Sequence, residues 1–73
     1  MKNDDIEKLR EELMAALPPV FGRNAVDRLL PGVITSKYLG NLAWVGEGPA
    51  FHKIGGRVVY GRDSFIDWLL SRV

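Results

Sequence analysis

Two groups of residues hold the polar chemistry of this 73-residue chain. Thr35, Ser36 and Lys37, with Tyr38 and Asn41 one turn further on, set hydroxyls, an amide and a cation along one short stretch. Such groups bond phosphates and base edges, and Lys37 can neutralise a phosphate. The second group is Lys53, Gly55, Gly56 and Arg57, with Arg62 beyond it. Glycine lets a backbone approach a ligand closely, and guanidinium is favoured in narrow grooves of negative potential. Each group also has a purely structural use: Thr35 and Ser36 can cap a helix while Tyr38 packs, and Gly-Gly-Arg is a common exposed turn. Catalysis has no comparable set. Paired carboxylates at a working spacing, a nucleophile beside a base and a phosphate-cradling loop are all missing, and His52 has no partner for acid-base work. With no cysteine and one histidine, neither a disulfide framework nor a zinc centre is expected. A protein without enzymatic activity, cofactor or metal is the expectation.

The elements that must position these groups follow from periodicity. Ile6, Leu9, Leu13 and Leu17 recur three or four apart, with Met14 beside them and charged residues opposite, which predicts an amphipathic helix from Asn3 to Leu17. Asn3 or Asp4 can cap it and Pro18-Pro19 stops it. Its leucine stripe either packs on its own domain or pairs with a second copy, giving a homodimer through this helix. Val20-Phe21-Gly22 reads as a break, so the chain divides into an N-terminal helix, 1–19, and a domain, 20–73. Residues 23–30 form a short helix with Val26, Leu29 and Leu30 inward, ended by Pro31-Gly32. Thr35 or Ser36 then caps a second helix that turns Tyr38, Leu39, Leu42 and Val45 to the core. Helix, glycine-containing turn and capped helix make a helix-turn-helix, whose second helix meets base edges with its N-terminal residues. Trp44 is most simply a core residue; exposed, it would serve a protein partner.

Gly46-Glu47-Gly48-Pro49 stops that helix, and Phe51 to Ile54 and Val58 to Tyr60 read as two strands. A two-residue Gly55-Gly56 loop would set Ile54 opposite Arg57 and mix charge into both faces. A three-residue loop pairs Ile54 with Val58 and His52 with Tyr60, keeps one face apolar, points Lys53 and Val59 outward and puts Arg57 at the tip, and is the preferred register. Asp63 caps a last helix, Ser64 to Arg72, with Phe65, Trp68 and Leu69 inward and Trp68 the largest core contribution. The fold class expected is α+β, mostly α.

Length and composition bound the rest. One domain of this size has a marginal core, and 26% charged residues with 47% hydrophobic ones argue against disorder. The start, Met-Lys-Asn-Asp-Asp-Ile, lacks the apolar run of a secretory signal, and no run is long enough to span a bilayer, so a cytoplasmic protein without membrane contact is expected. The formal net charge of +1 is unevenly spread. Residues 1–20 hold three cations against five acids, net −2, whereas residues 21–73 hold seven against four, net +3. The basic excess falls on the half carrying both polar groups.

Gly46-Glu47-Gly48-Pro49 ahead of Phe51-His52-Lys53-Ile54-Gly55-Gly56-Arg57-Val58-Val59-Tyr60, then a capped helix carrying Trp68-Leu69 and ending at Ser71-Arg72, resembles the MerR-like winged helix-turn-helix of phage excisionases and AlpA-type prophage regulators. The similarity covers about the last fifty residues. It implies a small winged domain with a two-stranded hairpin wing, and sequence-specific double-stranded DNA binding in transcription regulation or recombination directionality. It further implies that the wing, here Lys53, Gly55, Gly56 and Arg57, contacts DNA, and that an integrase or another phage or host protein is a partner. Two departures stand out: basic residues common late in the second helix are replaced by Ala43, Trp44 and Val45, and an acid common before the last helix's apolar face is Ser64. Phage packaging subunits resemble the same fold, so a protein-interaction or packaging module is the alternative.

Overall fold

The computed structural model describes residues 3–72, with side chains from Asp5 onward, so the cap expected at Asn3 or Asp4 lies outside the described side chains. The elements are α1 (Asn3–Ala16), β1 (Val20–Gly22), a 3₁₀ turn (Arg23–Ala25), α2 (Val26–Leu29), α3 (Ser36–Trp44), β2 (His52–Ile54), β3 (Arg57–Gly61) and α4 (Arg62–Leu70). The architecture is α+β and mostly helical. No helix among the described residues is long and apolar enough to cross a membrane.

The leucine stripe of α1 faces its own chain: Leu13 and Leu17 are buried, and Ile6, Leu9 and Met14 pack against the core. Of the two uses open to the stripe, intramolecular packing is the one seen here. Leu17 closes the last turn onto Leu13 before Pro18 and Pro19 end the helix. Arg62, the first residue of α4, then supplies what α1 lacks at its C-terminus, a cation near the free carbonyls: its Nη1 donates to the carbonyls of Met14 at 3.5 Å and Leu17 at 3.4 Å. A backbone bond from the Arg62 amide to the Pro19 carbonyl, at 2.9 Å, anchors the same junction.

The sheet corrects two expectations. Val20–Gly22 is not a bare break but a strand antiparallel to β3, pairing Phe21 with Tyr60, so the hairpin belongs to a three-stranded sheet of order β1-β3-β2. Three residues are too few to show alternation, and their partner lies about forty positions downstream. The hairpin register is the two-residue one: Ile54 opposes Arg57, Lys53 opposes Val58 and His52 opposes Val59. Gly55 and Gly56 have φ of 58° and 81°, the paired positive values of the tight turn whose twist matches the strands. The apolar-face argument for a longer loop fails because β2 buries nothing; all three of its residues are exposed. Arg57 therefore begins β3 instead of crowning the tip, and Lys53 shares the sheet face of Val58 and Tyr60.

Phe21, Tyr60 and Phe65 form the centre of the core, with ring centroids 5.0–5.9 Å apart and Phe21 edge-on to Phe65. Val26, Leu39 and Ile66 are wholly buried around them. Five placements differ from expectation. The N-cap of α4 is Gly61, with Asp63 one residue inside the first turn, where its charge still suits the helix dipole. Trp68 is half-buried at the core margin, its Nε1 donating to the Glu47 carbonyl at 3.2 Å. Tyr38 and Val45 are exposed, because only Leu39 and Leu42 of α3 lie on its buried line. Trp44, expected inside, is 89% exposed. Truncating the centre, as in Phe65→Ala, should cost about 3–5 kcal/mol in a urea titration, enough to leave a domain of this size largely unfolded; a loss below about 1 kcal/mol would show that the aromatic cluster does not hold the fold.

Candidate nucleic-acid interface

The N-terminus of α3 is built by two capping interactions. Thr35 Oγ1 accepts the Tyr38 amide at 3.1 Å, and Asp27 of α2 receives both the Ser36 amide at 2.9 Å and the Ser36 hydroxyl at 2.6 Å. This second contact fastens α2 to α3 across the Pro31–Val33 turn, where Gly32 takes φ 75°. The hydrogen bond from the Ser36 hydroxyl, followed by that from its amide, holds the Asp27 carboxyl below the usual aspartate range. Of the polar residues expected to reach a ligand from this turn, Thr35 and Ser36 are thus engaged in building it, and a carboxylate sits beside Ser36.

Lys37, Asn41 and Trp44 recur at four- and three-residue spacing opposite the buried pair Leu39 and Leu42, so they form the outward face of α3. Tyr38 lies on a different flank. Its hydroxyl accepts from Arg72 Nη2 at 2.9 Å, and its ring borders a groove beside α1 and α4. Arg62, grouped in the sequence with the hairpin residues, is instead turned toward the C-terminus of α1: its Nη1 already holds two carbonyls, and its Nε lies 3.5 Å from Asp63.

A residue that sequence reasoning missed joins α3 to the hairpin. Arg23 Nε donates to the hydroxyl of buried Tyr60 at 2.8 Å, and its guanidinium lies 5.6 Å from the Phe51 ring centre and 5.8 Å from that of Tyr60. A side chain at Gly40 would begin 3.8 Å from Arg23 Nη1, so the helix passes directly beside this cation. Strand β3, the approach to β2 and the flank of α3 therefore meet on one guanidinium. No local signal announces this, since Arg23 and Tyr60 are 37 positions apart.

Beyond this junction Gly56 of the turn and Arg57 and Val58 of β3 line, with Gly22, Arg23 and Asn24, an open pocket of about 470 Å³. Gly55, Gly56, Arg57 and Lys53 are all exposed. Among the described residues no acid lies within ion-pair distance of Lys37, Lys53 or Arg57. More broadly, α3, β2 and β3 contain no acid at all; among the described elements acids lie in α1, α2 and α4. Comparison with protein-family models, with characterised proteins and with solved structures finds no match for this chain.

Two outcomes follow from these contacts. Tyr60→Phe removes the acceptor for Arg23 Nε, whose neighbour Nη2 is already buried without a partner, and should cost about 1–3 kcal/mol in chemical denaturation. Because the folded-state pKa of Asp27 is depressed, its contribution is complete above the ordinary aspartate range and is lost as pH falls through the lowered value. Asp27→Asn should therefore flatten the fall in stability below about pH 4, read as urea midpoints across a pH series; an acid limb as steep as that of the unaltered chain would show that Asp27 does not fasten the two helices.

Proposed function

We propose that this chain is a winged helix-turn-helix protein that binds double-stranded DNA, with α3 entering the major groove and the β2–β3 hairpin acting as a wing at the flanking minor groove. The observation that carries this reading is the segregation of charge. The three elements joined at Arg23 present Lys37, Lys53 and Arg57 without a single acid among them. Three cations on acid-free elements, Lys53 and Arg57 on opposite faces of the hairpin, attract a polyanion to a chain of near-neutral total charge, with exposed Asp27 and Glu47 bordering α3. On α3, Lys37 neutralises a phosphate while Asn41 is placed to bond a base edge. The glycines of the hairpin turn have no side chain to obstruct close approach, and Arg57 beside them supplies guanidinium. Thr35 and Ser36 serve the interface indirectly, by fixing the angle at which α3 is presented. The biological role in this reading is that of the small prophage-type regulator or excisionase that the sequence resembles.

A second reading rests on Trp44. Its exposed indole shares the outward face of α3 with Lys37 and Asn41, and Ile54 is 63% exposed on the hairpin. Large apolar groups displayed in this way suit a protein partner, as in an interaction or packaging module.

A salt titration separates the two. Binding to duplexes selected from a random pool should give a linear dependence of log affinity on log salt, and Lys37→Ala and Arg57→Ala should each reduce the slope by about 0.9. Trp44→Ala should leave the slope unchanged. Failure to enrich any duplex at low salt, or slopes indifferent to both cations, would overturn the DNA reading and favour the protein-partner one.

A further inference from the structure

An apolar groove of about 510 Å³ runs along the face away from the Arg23 junction. Leu9 and Leu13 of α1 line it together with Val33, with Tyr38 of α3, and with Leu69 and Arg72 at the end of α4. Val33 is 60% exposed. The two rims carry opposite charge. Asp5 and Glu12 lie four and three residues from Leu9, on the flank of α1 that Leu9 turns to the groove, and both are exposed, with exposed Lys8 one turn before Glu12 and further round the helix from Leu9. Arg10, on the other flank, is occupied by Asp67 of α4 at 2.6 Å. On the opposite rim Arg72 lies over Trp68 at 5.0 Å and Tyr38 at 6.0 Å from the ring centres. Among the described residues neither Asp5, Glu12 nor Arg72 has an ion-pair partner.

We infer that this groove is covered by the same groove of a second copy of the chain. The argument is charge complementarity under two-fold symmetry. An isologous interface sets each surface against itself, and two orientations of the axis are available. With the axis across the groove, α1 meets α1 and the carboxylates of the two copies face one another, which is repulsive. With the axis along the groove, the acidic rim of each copy lies over the Arg72 rim of the other. The second arrangement makes two equivalent charge contacts, closes Val33 against its counterpart and leaves no end open for further addition. It uses the flank of α1, not the leucine stripe, which is buried in its own core. The groove takes in Thr35 and Tyr38 at the start of α3, while Lys37, Asn41, Trp44 and the hairpin lie outside its lining.

The test is sedimentation equilibrium of the full chain without DNA, from about 1 μM to about 1 mM. The unaltered chain should pass from monomer to dimer, and Val33→Glu, at an exposed position, should remain monomeric with an unchanged circular dichroism spectrum. Arg72→Glu alone, and Asp5→Lys with Glu12→Lys, should each weaken the dimer by about tenfold or more, because each places like charges across the interface. Combining all three substitutions in one chain, or mixing the two oppositely altered chains, should restore association. A monomer throughout the range, association indifferent to Val33→Glu, or a combined variant no tighter than its parents would overturn the inference.

Discussion

Tyr60 is the side chain on which the remainder of the molecule depends. Its ring closes the aromatic centre with Phe21 and Phe65, and so brings β1, β3 and α4 together. Its hydroxyl, unable to go unbonded at that depth, takes the Nε hydrogen of Arg23. That single bond fixes a guanidinium where it can lie beside Phe51 and the flank of α3. An apolar body and a polar tip on one residue thus couple the core to the surface. Strand order, the seat of α4 and the placement of hairpin against helix are consequences of the same burial.

How much of this was legible in the sequence differs by element. The long amphipathic helix, the capped α3 and the glycine hairpin were readable because each is specified within a window of a few residues: leucines at helical spacing, Thr35 before an apolar run, two glycines between strands. What escaped notice is specified by distant partners. β1 is a strand only because β3 pairs with it, and Gly61 caps α4 only because the strand runs directly into the helix. The hairpin register was misjudged by assuming a buried face on β2, whereas the turn geometry of Gly55-Gly56 governs it. Among the candidate site residues, Lys37, Asn41, Lys53, Gly55, Gly56 and Arg57 are surface groups as composition suggested. Ser36, Tyr38 and Arg62 have distant structural partners that no spacing rule could supply, whereas the cap made by Thr35 is local.

The junction of α2 with α3 also has an economical electrostatic arrangement. Asp27 is the acid nearest the start of α3, and its charge is turned inward on Ser36, where two hydrogen bonds hold it. A carboxylate at this position would oppose a phosphate if it were free; bound to the N-terminal turn of α3, it instead orients the helix and is partly offset by that helix's positive end. The cation one residue later, Lys37, is left exposed.

The strand order has a further consequence for colloidal behaviour. β3 is sheltered on both sides, which leaves β1 and β2 as the margins of the sheet, each only three residues long. Margins so short offer few free amides to recruit a foreign chain, and the ammonium of Lys53 in the middle of β2 makes stacking of identical copies repulsive. The same exposed lysine therefore stands as a gatekeeper against amyloid-like self-templating, and the brevity of both margins limits edge-to-edge pairing.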